Sequence, residues 1–220
     1  MNESNAVVKF LNKATDIIVL NVLFILCCIP IVTIGASFTA MYTVTLRSIR
    51  YGDGYVARVF FNAFKKNFKQ STIAWVGILV IGVVLFLDYR FWDAVTDKTM
   101  GTMMKIMSLV IAFLVFMFVQ WLFPLIAKME DKLNRQIRNS ILISIGCLVP
   151  YTLIIMGLSI GFGYLVYSTT LAMFFALIFG FALVAWIQSF FIYKAFSKFI
   201  TEDPVGTDDP LYGDMVAHEK

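Results

Sequence analysis

Long stretches without charge alternate with short charged ones. No charged side chain occurs between Asp16 and Arg47, a run of 30 residues, nor between Lys69 and Asp88, a run of 18. Two further runs lie between Lys105 and Lys128 (22 residues) and between Arg138 and Lys194 (55 residues). A helix needs roughly 20 apolar residues to cross the hydrocarbon core of a bilayer. The second and third runs therefore predict one crossing each, and the last predicts two. Short alternating strands, the mark of a membrane barrel, are not apparent.

The first run is the ambiguous one. A short amphipathic stretch leads into it, with Val7, Phe10, Leu11, Ala14, Ile17 and Ile18 at helical spacing. As one straight helix, Ile17–Leu46 is about 45 Å long, too long for one crossing of about 30 Å and short for two. Pro30 removes a backbone donor and disfavours helical geometry at Ile29, and Thr33, Gly35 and Ser37 suit a turn or cap. Two readings stand: one kinked crossing, or a helical hairpin turning at Pro30–Gly35. The apolar length back to Ala6 favours the hairpin. Thr33, Ser37, Thr39, Thr43 and Thr45 make one region rich in hydroxyls. Helix-to-helix hydrogen bonding is the plainer explanation, and a small polar cavity is the sharper one.

The charged segments set the expected topology. Arg47–Gln70 holds six basic residues (Arg47, Arg50, Arg58, Lys65, Lys66, Lys69) and one acid, Asp53. An excess of this kind predicts a cytoplasmic segment. Gly52-Asp53-Gly54 reads as a turn. Residues 55–70 then plot as an amphipathic interfacial helix, with Phe60, Phe61, Phe64 and Phe68 on one face and Arg58, Lys65, Lys66 and Lys69 on the other. The predicted spans lie near 6–29, 33–50, 71–88, 104–127, 140–166 and 171–194. Gln120 stands four residues before Pro124, so a kink is expected there, with the amide bonding the freed carbonyl or a neighbouring helix. Gly157 and Gly161 form a GxxxG, which predicts a close packing contact within the chain. Ser168-Thr169-Thr170 is a very short turn that makes the last two spans antiparallel neighbours, and Gln188 lies near the end of the last one. Residues 201–220 carry six acids, two prolines and the only histidine, His218, and read as a flexible cytoplasmic tail.

Composition agrees with this layout. The chain of 220 residues is 60% hydrophobic with a mean hydropathy of +0.83, against about 45–50% apolar in soluble domains. The expected class is all-α: a single polytopic transmembrane helical bundle of five or six spans over residues 1–200, with a proline-broken first segment and a cytoplasmic amphipathic helix. The net charge of +4 lies mostly in loops and reports topology rather than nucleic-acid binding. Cys27, Cys28 and Cys147 fall inside apolar runs and read as small buried hydrophobes. No cleavable signal peptide is expected.

Chemistry is sparse. No histidine and no deep Asp or Glu occurs in any span, and HExxH, GxSxG and GxxxxGK[ST] patterns are absent. No catalytic, cofactor-binding or metal-binding residue is assigned, and an enzyme is not expected. Intramembrane ionisable groups, usual in proton-coupled transporters, are missing as well. What remains is the handling of a neutral solute, service as a helper subunit, or a structural role.

Leu20-Asn21, Ile29-Pro30-Ile31-Val32-Thr33-Ile34-Gly35-Ala36, Ala40 and the Arg47–Tyr51 end together resemble the YesL-like family of bacterial membrane proteins, a domain of unknown function. So do Asp53-Gly54-Tyr55 and Phe60-Phe61-Asn62-Ala63-Phe64-Lys65-Lys66-Asn67-Phe68-Lys69-Gln70-Ser71-Thr72. The resemblance covers about residues 10–75; beyond them only the hydrophobic layout is similar. Its members occur in Gram-positive bacteria, often encoded beside carbohydrate ABC importers and polysaccharide-degrading enzymes. It implies a multi-pass protein of the cell membrane that is accessory to sugar uptake, with importer subunits as partners besides the lipid bilayer. It supplies no ligand or catalytic residue.

Overall fold

The computed structural model describes residues 3–51, 55–95, 98–129, 131–147 and 151–199, and these are almost entirely helical. The Gly52-Asp53-Gly54 turn, Pro150 and the 201–220 tail lie outside the described residues.

Helix α1 runs Glu3–Cys28 and stops where Pro30 takes an extended conformation (φ −76°, ψ 119°). A single 3-10 turn, Ile31–Thr33, leads into α2, Ile34–Tyr51. The two helices are antiparallel: the Phe24 and Phe38 rings meet at 5.0 Å near the turn, and Lys13 Nζ reaches Ser48 Oγ at 2.6 Å near the open end. The first segment is thus a helical hairpin and not one kinked helix. Carbonyls freed at the break are taken up at once. The Thr33 hydroxyl lies 2.6 Å from the Cys27 carbonyl and 2.7 Å from that of Pro30, and the Trp75 indole N–H donates to Ile31 O at 2.8 Å. Unbonded backbone at membrane depth is costly, so a break there requires such partners.

Helix α3 runs Val56–Asp93 without interruption, 38 residues or about 57 Å. This differs from an interfacial helix over 55–70 followed by a separate span over 71–88. Part of the apolar face of its first half is covered by protein: Val56, Val59, Phe60 and Ala63 are buried. The cover includes α2, which runs antiparallel to it. Thr39 and Ser71 share a hydroxyl–hydroxyl bond of 2.8 Å, and a Cβ on Gly35 would stand 2.6 Å from both Ser71 O and Trp75 Cβ. Phe61 and Phe68 stay exposed, as do Arg58, Lys65, Lys66 and Lys69.

Helix α4, Lys98–Lys128, returns along α3, with Lys105 paired to Asp93 at 2.8 Å and Pro124 inside the helix. Within the expected span over 140–166, residues 148–150 lie outside the described residues. Helix α5 covers Leu133–Gly146 and α6 covers Leu153–Ser168. Thr152 stands just before α6, and its backbone N–H donates to Cys147 O at 3.0 Å. Its hydroxyl lies 3.1 Å from the carbonyls of both Ser144 and Cys147 and accepts the Trp121 indole N–H at 3.0 Å, so side-chain bonds add to the backbone one. After an extended Thr169, α7 (Thr170–Phe175), a π-helical turn (Ala176–Gly180) and α8 (Phe181–Phe199) form one continuous rod. It lies antiparallel to α6, with the Phe162 and Phe181 rings 5.3 Å apart.

By length and composition, four described stretches can cross a membrane: Phe10–Cys28, Val56–Asp93, Lys98–Lys128 and Thr170–Lys198; Leu153–Ser168 is a shorter apolar helix. The far half of α3 exposes Val76, Val80, Val83, Val84 and Leu87, and α4 exposes Ile106, Leu109, Val110 and Phe113. So continuous an apolar surface fits lipid and not water. The best-packed core lies toward the other end, around Trp121, Leu125, Ile126, Ile192 and Phe196. There α2, α4 and α8 converge near the basic residues Lys128, Lys194 and Lys198.

Candidate functional site

The α3–α4 hairpin and the α6–α8 pair meet near the core and diverge beyond it. Between them opens a cleft of about 790 Å³. Its floor is α2, through Phe38, Met41 and Tyr42. One wall is Trp75 to Tyr89 of α3 with Ser108 to Phe123 of α4; the other is Ser159 to Val166 of α6 with Phe181 to Gln188 of α8. From Trp75 to Tyr89 the cleft runs about 21 Å along α3. Nearly all its lining side chains are aliphatic or aromatic, and none is charged.

Polar groups gather at the inner end. Tyr42 donates its hydroxyl to Gln188 Oε1 at 2.8 Å. Gln188 Nε2 donates to Ser159 Oγ at 2.8 Å and to Ile155 O at 3.2 Å. Gln120 Nε2 donates to the same Ser159 Oγ at 2.6 Å. Ser159 gives its own proton to Ile155 O at 3.1 Å. Four helices are tied together by this cluster, each donor aimed at a neutral acceptor. The oxygen of Gln120 and its second N–H have no hydrogen-bond partner among the described residues. At the far end the Ser108 hydroxyl sits against the Asp88 carboxylate, which also accepts from the Trp92 indole at 3.0 Å.

The hydroxyls of the α2 stretch do not line the cleft. Thr33, Ser37, Thr39, Thr43 and Thr45 each bond a backbone carbonyl three to six residues back; Thr39 also meets Ser71, and Thr45 meets Ser189 at 2.7 Å. Helix-to-helix and helix-to-self bonding accounts for all five. Gln120 and Gln188 do reach the cleft, and Gln120 bonds a neighbouring helix. Tyr42 and Ser159 were not singled out by sequence reasoning; each lies among other hydroxyl-bearing residues in its charge-free run, so no signal in the sequence sets it apart. The GxxxG pair is a further difference. A Cβ on Gly157 or Gly161 would meet nothing within 4 Å, so these glycines make no close contact among the described residues.

Asn21 occupies a second polar position, fully buried and apart from the cleft. Its amide nitrogen donates to Ala176 O at 3.1 Å and Leu177 O at 2.8 Å, and its oxygen accepts Ala182 N–H at 3.0 Å. These are the backbone groups that the π turn takes out of α-helical register. Cys27, Cys28 and Cys147 are free thiols, and among the described residues no group of three or more His, Cys, Asp or Glu could hold a metal ion.

Residues 17–89 match a family described as "Protein of unknown function, DUF624". The matched segment comprises the apolar part of α1, the proline turn, α2 and most of α3. It supplies the floor of the cleft and one half of a wall, and it contains Asn21, whose partners lie outside it. No curated protein and no solved structure matches the chain.

Proposed function

We propose that this integral membrane protein is an accessory component of carbohydrate uptake that acts by contact with an importer, without catalysis of its own. The sugar link rests on the YesL-like resemblance of residues 10–75. The observation that carries the contact is the unbroken α3. Its first half is held rigidly on α2 through Val56, Val59, Phe60 and Ala63, while Arg58, Lys65, Lys66 and Lys69 face outward. A basic face on a pre-ordered helix loses little entropy on docking. By the positive-inside bias this arm is cytoplasmic in the cell membrane, beside the surfaces an importer presents there.

The test is co-purification from native membranes of cells grown on plant polysaccharide. Importer permease or ATPase subunits should be recovered with the natural chain and lost with a Lys65→Glu, Lys66→Glu, Lys69→Glu variant that still inserts and folds. Equal recovery with both, or recovery of no importer subunit with either, would overturn the reading.

A stand-alone carrier of a neutral solute is the second reading, favoured by the Gln120–Ser159–Gln188 cluster in the cleft. It is the weaker one. A sugar offers hydroxyls around its whole ring, whereas the cleft offers polar groups at its two ends and apolar walls between. The Pro30–Gly35 segment offers no solute site, since its hydroxyls are bonded internally. Saturable flux of any sugar into vesicles holding the purified chain alone would restore this reading.

A further inference from the structure

From the shape and chemistry of the cleft we infer that it is a binding site for an uncharged single-chain lipid, with a hydroxyl head on Gln120 and the aliphatic chain running toward Tyr89. The inference does not rest on the importer reading.

Volume comes first. About 790 Å³ lies in the upper part of the range of about 300–1,000 Å³ typical of ligand pockets. The long dimension follows, at about 21 Å from Trp75 to Tyr89. One leaflet of the hydrocarbon core is about 15 Å thick, half of about 30 Å. The cleft is therefore deep enough for one extended chain of membrane length. Its walls fit the same ligand: Leu85, Ala112, Val115, Val184 and their neighbours offer dispersion contact and no charge.

The head follows from hydrogen-bond accounting. Tyr42, Ser159 and Gln188 spend their donors on one another and on Ile155 O. Gln120 spends one N–H on Ser159, and its second N–H and its oxygen have no partner among the described residues. A hydroxyl accepts from the one and donates to the other, whereas an ester only accepts, so the pair selects a head with an O–H. An ionised head is disfavoured, because no lining residue offers a countercharge. Phosphatidylcholine fails on this ground, while a monoacylglycerol or long-chain alcohol satisfies it.

Two glycines keep the cleft open. Gly82 and Gly163 both line it, and a Cβ on either would meet nothing within 4 Å. A side chain started from either Cβ enters open space beside the cleft, which provides a blocking variant.

The experiment uses the full chain in phosphatidylcholine nanodiscs with a monoacylglycerol carrying a photoreactive diazirine on its chain. Crosslinked residues are mapped by mass spectrometry. Labels at Leu85, Val115 and Val184 are expected to saturate and to be competed away by unlabelled monoacylglycerol, whereas labels on the outer faces, at Val80 or Ile106, rise in proportion to probe. Gly82→Phe with Gly163→Phe, checked for an unchanged size-exclusion profile, should lower cleft labelling at least five-fold. A fatty-acid methyl ester, lacking the O–H, should compete several-fold less well than monoacylglycerol, and Gln120→Leu should erase that difference. Cleft labels that neither saturate nor fall in the filled variant, or that a diazirine phosphatidylcholine of equal chain length reproduces, would overturn the site. Equal competition by the methyl ester would overturn the placement of the head.

Discussion

The two ends of this bundle are built on opposite terms. Around the α1–α2 turn and the first half of α3, backbones approach until only glycine fits, and nearly every polar group has a short-range partner. Gly35 lies against Ser71 and Trp75, Asn21 fills the π turn, and Thr39 bonds Ser71. In the outer half, α3–α4 and α6–α8 stand apart, and a Cβ on Gly77, Gly82, Gly157, Gly161 or Gly163 would meet nothing within 4 Å. A glycine in a membrane helix is therefore not by itself a sign of close packing. What matters is whether a second backbone lies across from it. The contrast separates a part that sets the fold from a part left free to take a ligand.

The sharpest way to break the contrast is a matched pair of substitutions. Gly35→Leu forces apart α2 and α3 backbones and should cost about 3 kcal/mol or more, leaving little folded protein by size-exclusion in detergent. Gly163→Leu should stabilise by up to about 1 kcal/mol, because glycine is a poor helix former and nothing opposes the new side chain. Similar losses at both positions would mean that the cleft is closed in the membrane.

Next in size is Asn21→Leu. It removes three hydrogen bonds and leaves the Ala176, Leu177 and Ala182 backbone groups unsatisfied, for a loss of about 2–3 kcal/mol. Unfolding by SDS in mixed micelles reads the change, and faster amide exchange at 176–182 would place it at the π turn. Exchange rising uniformly along the rod would count against a local role for Asn21.

The smallest effect refines the contrast. A double-mutant cycle of Thr39→Val and Ser71→Ala should give a coupling of about 0.6 kcal/mol and no more than about 1.7, the range for helix-to-helix bonds in membranes. Zero coupling would show that Gly35, not the hydroxyl pair, holds α2 to α3.

Much of the fold was legible in the pattern of charge. Helix and membrane follow from run length, because water-exposed helices need charges and membrane helices exclude them. The break at Pro30 was legible too, since a missing N–H and the restricted geometry before proline are local facts. The site was less so. Gln120 and Gln188 stood out as amides inside apolar runs. Tyr42 and Ser159 acquire meaning only when four helices bring them within 3 Å of a partner.

By itself, then, the sequence determined an all-helical chain with stretches able to cross a membrane, a proline break in the first segment, and basic residues gathered toward one end. Tertiary structure decided that residues 6–46 fold back as a hairpin, that α3 runs unbroken through residue 70, and that a cleft opens beside α2. Each of these turns on which face of a helix meets which other face. Periodicity tells that a face is apolar; it does not distinguish lipid from protein as the partner, and in a membrane both are equally apolar. Only backbone proximity, as at Gly35 and Ser71, separates the two.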